Sequence, residues 1–244
     1  MEHASALSRP RDWSVTTYAR IAGILFLLSA VGGGFGEFYV PTHIVVSGNA
    51  AATASNIISH ASLFRWGFAG YLIEATCDIA LAWVFYVLLK PVHRNLALLA
   101  AFFGLVATAV FAGAELFYFA PAFILEGAGY LNTFSPEQLK SLAMLSFKFY
   151  GYGGDLFMVF YGVGWIIRGC LIVRSGYLPR TLGVLLAIAG LGFVAHNFAV
   201  VLAPGYATGL LLMPMFLGGV AIMVWFFVKG VNKERWNEQV ALSR

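Results

Sequence analysis

Residues 64–89 read FRWGFAGYLIEATCDIALAWVFYVLL, an apolar run that carries two carboxylates, Glu74 and Asp78, in its middle. A helix crosses the hydrocarbon layer with about 20 apolar residues, so this stretch is long enough to span a bilayer. Five more stretches qualify on either side: 21–40, 96–119, 145–173, 182–203 and 210–228. The 244-residue chain is 60% hydrophobic and only 11% charged. Soluble domains carry about a quarter charged residues. A chain of this length cannot hide so much apolar surface from water, so its solvent is lipid. The expected fold is all-α: a polytopic six-helix bundle forming one integral membrane domain over residues 1–244.

Local signals refine the spans. Ser135, Pro136 and Glu137 make an N-cap, a first-turn proline and an acidic first turn, so the fourth span belongs to a longer helix that starts outside the bilayer. Pro41–Leu63 contains an Asn49 N-cap before an alanine-rich run. That segment and Phe119–Ser135 are either a lid over one mouth of the bundle or ordinary connectors. The polar lead before Ile21 is long for a signal peptide and the run after it has full span length, so the first span is read as retained. Cys77 and Cys170 sit in different spans and are read as two unpaired apolar thiols.

Orientation follows from the basic residues. With both termini cytoplasmic, Arg9, Arg11, Arg20, Lys90, Arg94, Arg168, Arg174, Arg180, Lys229, Lys233, Arg235 and Arg244 lie inside, against Arg65, Lys140 and Lys148 outside; that is 12 against 3 of the 15 lysines and arginines. These residues lie between spans, not along one face, so the net charge of +4 is no nucleic-acid signal.

The most informative polar residues are those inside the spans: Glu37, Glu74, Asp78, Glu115, Lys148, Asp155 and His196. At about 1.5 Å per residue from the nearest basic boundary residue, they lie about 18 to 31 Å up, in the outer half of a layer about 30 Å thick. Charge in hydrocarbon is costly, so a shared depth points to a built site. Tyr71, Glu74 and Asp78 fall on one helical face by i, i+3 and i+7; Lys148, Tyr152 and Asp155 do so by i, i+4 and i+7. The candidate ligand-binding set is therefore Glu37, Tyr71, Glu74, Asp78, Glu115, Lys148, Tyr152, Asp155 and His196. Glu74 and Asp78, one turn apart, repel unless one is protonated or a cation sits between them. The plainer alternatives are that Glu37, Glu115 and Lys148 snorkel to the interface and that the deeper carboxylates lock helices together.

Several chemistries are absent. There is no His-Glu-x-x-His helix, no Gly-x-Ser-x-Gly elbow and no phosphate loop. His196 is the single histidine within a span, so no metal site and no cofactor is expected. Gly32-Gly33-Gly34-Phe35-Gly36 has no strand before it and is read as helix packing.

Specific stretches also resemble a known family. They are Glu37-Phe38-Tyr39-Val40-Pro41, Gly48-Asn49-Ala50-Ala51-Ala52-Thr53-Ala54, Cys77-Asp78-Ile79-Ala80-Leu81, Tyr86-Val87-Leu88-Leu89-Lys90-Pro91-Val92, Gly151-Tyr152-Gly153 and, most specific, Arg174-Ser175-Gly176-Tyr177-Leu178-Pro179-Arg180-Thr181-Leu182-Gly183. Across about Ala19 to Val228 the chain resembles the bacterial multi-pass membrane family called domain of unknown function 4386. The resemblance implies a six- or seven-span protein of the bacterial cytoplasmic membrane and carries no activity with it.

Three functions fit the residues. One is a binding or transport protein whose outward-facing polar pocket takes a small cationic or amphiphilic ligand. Another is a structural or accessory membrane protein with a helix-locking polar network. The third is an intramembrane enzyme acting on a lipid or isoprenoid, with Asp78 or Glu74 paired to His196. The expected partners are the lipid bilayer and a small-molecule or lipid ligand, with no nucleic acid; self-association into a homo-oligomer stays open.

Overall fold

A computed structural model describes residues 13–243. Arg9, Arg11 and Arg244, which entered the orientation argument, lie outside them. Among the described residues there is no strand. The helices are α1 (Val15–Gly33), α2 (Val40–Ile44), α3 (Ala50–Ser59), α4 (Ala61–Leu89), α5 (Arg94–Leu125), α6 (Pro136–Ser175), α7 (Arg180–Leu202), α8 (Met213–Val228) and α9 (Lys233–Leu242). A π-helical turn, Gly34–Tyr39, joins α1 to α2 without a break. Six helical stretches are long and apolar enough to cross a membrane: Val15–Ile44, Ala61–Leu89, Arg94–Leu125, Pro136–Ser175, Arg180–Leu202 and Gly209–Val228. The protein is a multi-pass membrane protein. Its outer faces agree: Leu72, Ile79, Trp83, Phe102, Leu116 and Leu191 are all exposed, a surface that only lipid covers comfortably.

The caps explain where helices begin and end. Ser14 accepts a hydrogen bond from the Thr17 amide and starts α1. At the start of α6, Ser135 and Gln138 form a reciprocal capping box just ahead of Pro136. Gly176 ends that helix in the left-handed region, φ 70°, where a side chain would be strained. At 40 residues α6 is about 60 Å long and protrudes well beyond a bilayer. One boundary differs from the sequence reading: α5 runs on through Pro121 to Leu125 instead of ending near Phe119. Tyr118, Pro121 and Ala122 are all buried there, and that packing carries the helix past the proline.

Lys90, Arg94, Arg174, Arg180 and Lys229 all fall at one end of the bundle, here the basic end; the other is the far end. The spans form a closed ring, each touching the next in the order α1, α4, α5, α6, α7, α8 and back to α1. Glycines let two seams close to backbone contact. A methyl on Gly32 would strike the Gly70 carbonyl between α1 and α4, and Gly162 meets Gly190 and Gly169 meets Gly183 between α6 and α7. In the glycine run at residues 32–36, Gly32, Gly33 and Gly36 pack against α4, whereas Gly34 meets nothing within 4 Å.

The ring is filled unevenly. In the basic half, Leu81, Phe85, Leu88, Ile172, Leu186 and Phe226 form a continuous core. The basic end is sealed by hydrogen bonds to one buried helix-end carbonyl: Tyr177 Oη donates to Leu88 O at 2.6 Å and Trp236 Nε1 to the same atom at 3.3 Å. In the far half an aromatic cluster of Phe64, Tyr71, Phe111 and Tyr118 packs on the α4–α5 side. Helix α3, capped by Asn49, packs on α4, α5 and α6. The far half is left open on the side of α1, α6 and α8.

Candidate functional site

That unfilled region is a cavity of about 830 Å³ to which every span contributes. Glu37, Glu74, Asp78 and Asp155 line it, with hydroxyls from Ser29, Tyr150 and Tyr161. Most of the remaining wall is aromatic, aliphatic or glycine: Phe26, Phe157, Trp165, Phe193, Met215 and Met223 are representative. No lysine, arginine or histidine is among the described lining residues. No α3 residue lines it either, so α3 is a connector packed on the far end and no lid over this space.

Each carboxylate is placed by a specific local feature. Glu37 rides on the π-helical turn, where one extra residue per turn redirects side chains. Glu74 lies against Gly33; any side chain there would collide with the Glu74 carboxylate. Glu74 Oε2 is buried with no hydrogen-bond partner among the described residues. Asp78 is 7% exposed, and Ser29 Oγ donates to its Oδ1 at 3.2 Å. Asp155 lies on α6, half-buried at the cavity edge. Glu37, Glu74 and Asp78 share the cavity wall on the α1 and α4 side, and carboxylates gathered in an apolar wall repel when more than one is ionised. An occupant that carries positive charge would relieve that repulsion.

The main cation near this layer is one that the sequence hid. Arg168 counts as a boundary anchor when read from sequence, but α6 continues through Arg174 to Ser175 and Arg168 is only 4% exposed. Gly104 leaves the space its guanidinium occupies. The guanidinium lies 5.1 Å from the Phe85 ring centroid, and Nη2 donates to Ala100 O at 3.5 Å. Its Nε has no partner among the described residues. It forms no ion pair with Asp78; Arg65–Glu126 is the ion pair found among the described residues. Arg168 therefore stands under the acidic layer as a fixed counter-charge and leaves the Asp78 carboxyl unpaired.

The other candidates fall elsewhere. Tyr71 is buried behind the cavity wall, its hydroxyl 2.9 Å from that of Tyr150. Glu115 is 3% exposed, and both its oxygens and the Tyr118 hydroxyl lack partners among the described residues. Lys148 and Tyr152 are exposed on the outer face of α6. His196 does not line the cavity; its Nδ1 lies 3.1 Å from Thr208 O. Four of the nine sequence candidates thus share the cavity: Glu37, Glu74, Asp78 and Asp155. Sequence reasoning missed Ser29, Tyr150, Tyr161 and Arg168. The first three follow from helical spacing once one cavity residue is known, since Phe26, Ser29 and Gly33 on α1 and Tyr150, Gly154, Phe157 and Tyr161 on α6 recur every three to four residues. Both cysteines are free. Among the described residues no group of three or more His, Cys, Asp or Glu side chains is arranged to hold a metal ion.

Residues 21–230 match the domain of unknown function DUF4386. The chain belongs to this family. The match begins within the first span and covers the other five and every residue that lines the cavity. An uncharacterized protein of Archaeoglobus fulgidus is 27% identical over 165 residues, which is 68% of this chain and 84% of that relative. No solved structure matches the chain. The family description assigns no activity, so the chemistry of the cavity has to be read from its own residues.

Proposed function

We propose that the protein binds a small, positively charged or amphiphilic ligand in this cavity and moves it within or across the membrane. One observation carries the reading: four carboxylates line a space of about 830 Å³ that has no basic side chain among its described lining residues. The volume lies within the range of small-molecule sites, and a mostly apolar wall with a few convergent polar groups is their usual composition. Asp78 and Glu74 take the charged group, Glu37 and Asp155 flank it, and the aromatic and methionine side chains hold the organic body. The bias of basic residues supports a cytoplasmic basic end in a bacterial inner membrane, which places the cavity toward the outer face.

A panel of organic cations in a thermal unfolding assay tests the reading. A cation-specific rise in melting temperature that Asp78→Asn loses supports it; a flat response of the wild type to every cation overturns it. A helix-locking role is favoured for one part of the layer only. Tyr71 and Tyr118 pack behind the cavity wall against Tyr150, which lines it, and the Tyr71 and Tyr150 hydroxyls bond each other. The enzyme reading needs His196 beside Glu74 or Asp78, and the pairing of His196 with Thr208 O gives it no support.

A further inference from the structure

The cavity is partly open, and small residues thin its wall between α1 and α8. Helices α1 and α8 pack on each other through the basic half, where Ala22, Ile222 and Phe226 share the core. Near the basic end Gly23 packs on Phe227; near the far end the Phe38 and Phe216 rings lie 6.4 Å apart. Between those points the two helices present small or exposed residues that also line the cavity: Ala30 and Gly34 on α1 and its π-helical extension, Gly219 and Val220 on α8. A methyl built on Gly34 would meet nothing within 4 Å, and one on Gly219 would meet only Trp165 across the cavity at 3.6 Å. Ala30 is 10 residues above Arg20 and Val220 is 9 before Lys229, which puts both about 14 Å above the basic boundary, near the bilayer midplane. Asp78, 12 residues before Lys90, is at about 18 Å, within one helical turn of the same level.

A slot at that depth opens onto lipid chains and not onto water. We infer that the ligand is a cationic amphiphile drawn from the bilayer: its amine or quaternary ammonium head sits among Asp78, Glu74 and Glu37, and its hydrocarbon chain lies in the slot between α1 and α8. This inference rests on the reading of the cavity as a cation site and adds the chain and the route. The Phe38–Phe216 contact closes the slot toward the far end and is the point that must part for a head group to pass. A chain threaded through the slot stays in an apolar setting throughout, so only the head group trades hydration for carboxylates.

The test uses the full-length protein in phosphatidylcholine nanodiscs with two probes of equal charge, dodecyltrimethylammonium and tetramethylammonium, and neutral dodecanol as the chain-only control. Melting temperature and equilibrium binding are read for the wild type, Asp78→Asn and Gly34→Leu. Gly34 has φ −58° and ψ −37°, a conformation any residue adopts, so Leu there fills the slot without strain. The expected result is that dodecyltrimethylammonium binds the wild type at least about tenfold more tightly than tetramethylammonium. Dodecanol does not compete. Asp78→Asn loses both cations, and Gly34→Leu erases most of the preference for the long chain. Equal affinity for the two cations, or an unchanged preference in Gly34→Leu, overturns the lateral route while leaving the cation site standing. A wild type that ignores both cations, or binds dodecanol as well as the charged chain, overturns the cation site and this inference with it.

Discussion

The seam between α6 and α7 and the gap between α1 and α8 use the same small residues to opposite effect. Along the first, Gly162 faces Gly190 and Gly169 faces Gly183, so two backbones touch at two levels and the wall is sealed. Along the second, Gly34 faces open space and Gly219 meets only the Trp165 ring across the cavity. A glycine closes a helix pair only when the opposite helix offers a backbone to meet it. Where the opposite helix stands off, the same residue leaves an aperture. The ring is therefore close-packed on one side and looser on the other, and four carboxylates line the cavity between them.

Substitutions can break this contrast. The largest effect is expected from Gly190→Leu, because its side chain would enter the Gly162 carbonyl and the Ile166 backbone. Forcing the seam apart should cost about 3 kcal/mol or more, read as a lost or strongly lowered melting transition. A near-normal transition would show that the seam is not close-packed. Phe38→Ala removes the far-end contact between α1 and α8 and should cost about 1 kcal/mol. It should also speed the exchange of a bound cationic chain, measured by dissociation kinetics. Glu115→Gln should change stability by less than about 1 kcal/mol, since neither carboxyl oxygen has a partner to lose. Unlike Asp78→Asn, it should leave any cation-dependent stabilisation intact. Gly34→Leu should have the smallest effect on the unliganded protein, within about 0.5 kcal/mol, as expected for substitutions that disturb no packing. A large loss there would mean that α1 and α8 close together more tightly than described.

Much of the fold was legible because span length and apolar content are set by the bilayer alone. The capping box at Ser135 and the Asn49 cap were equally readable, being local. The site was legible in part. Glu74 and Asp78 share a face by helical spacing, and they share the cavity. The same spacing rule grouped Lys148 and Tyr152 with Asp155, yet only Asp155 lines the space. The cavity face of α6 is centred on Tyr150, Gly154, Phe157 and Tyr161. Asp155 marks its edge, and the other two fall beyond that edge, on the exposed side. Periodicity tells which residues are neighbours on a helix, not where the neighbouring helix begins. Arg168 was hidden for another reason: an arginine within two turns of a span end looks like an interfacial anchor until the course of the helix shows that it is buried. His196 and Thr208 met through the turns between α7 and α8, which no periodicity describes.

The π-helical turn at Gly34–Tyr39 amounts to one residue inserted into an otherwise regular span. Removing any one residue from the turn would restore ordinary α-helical pairing, with a small gain in backbone regularity. It would also turn the segments on its two sides about 100° relative to each other. Glu37 could then no longer face Glu74 while Gly32 kept its contact with Gly70. The protein thus holds a single-residue frame shift within one helix, and a shortened homologue lacking that residue would keep the six spans and lose the acidic corner.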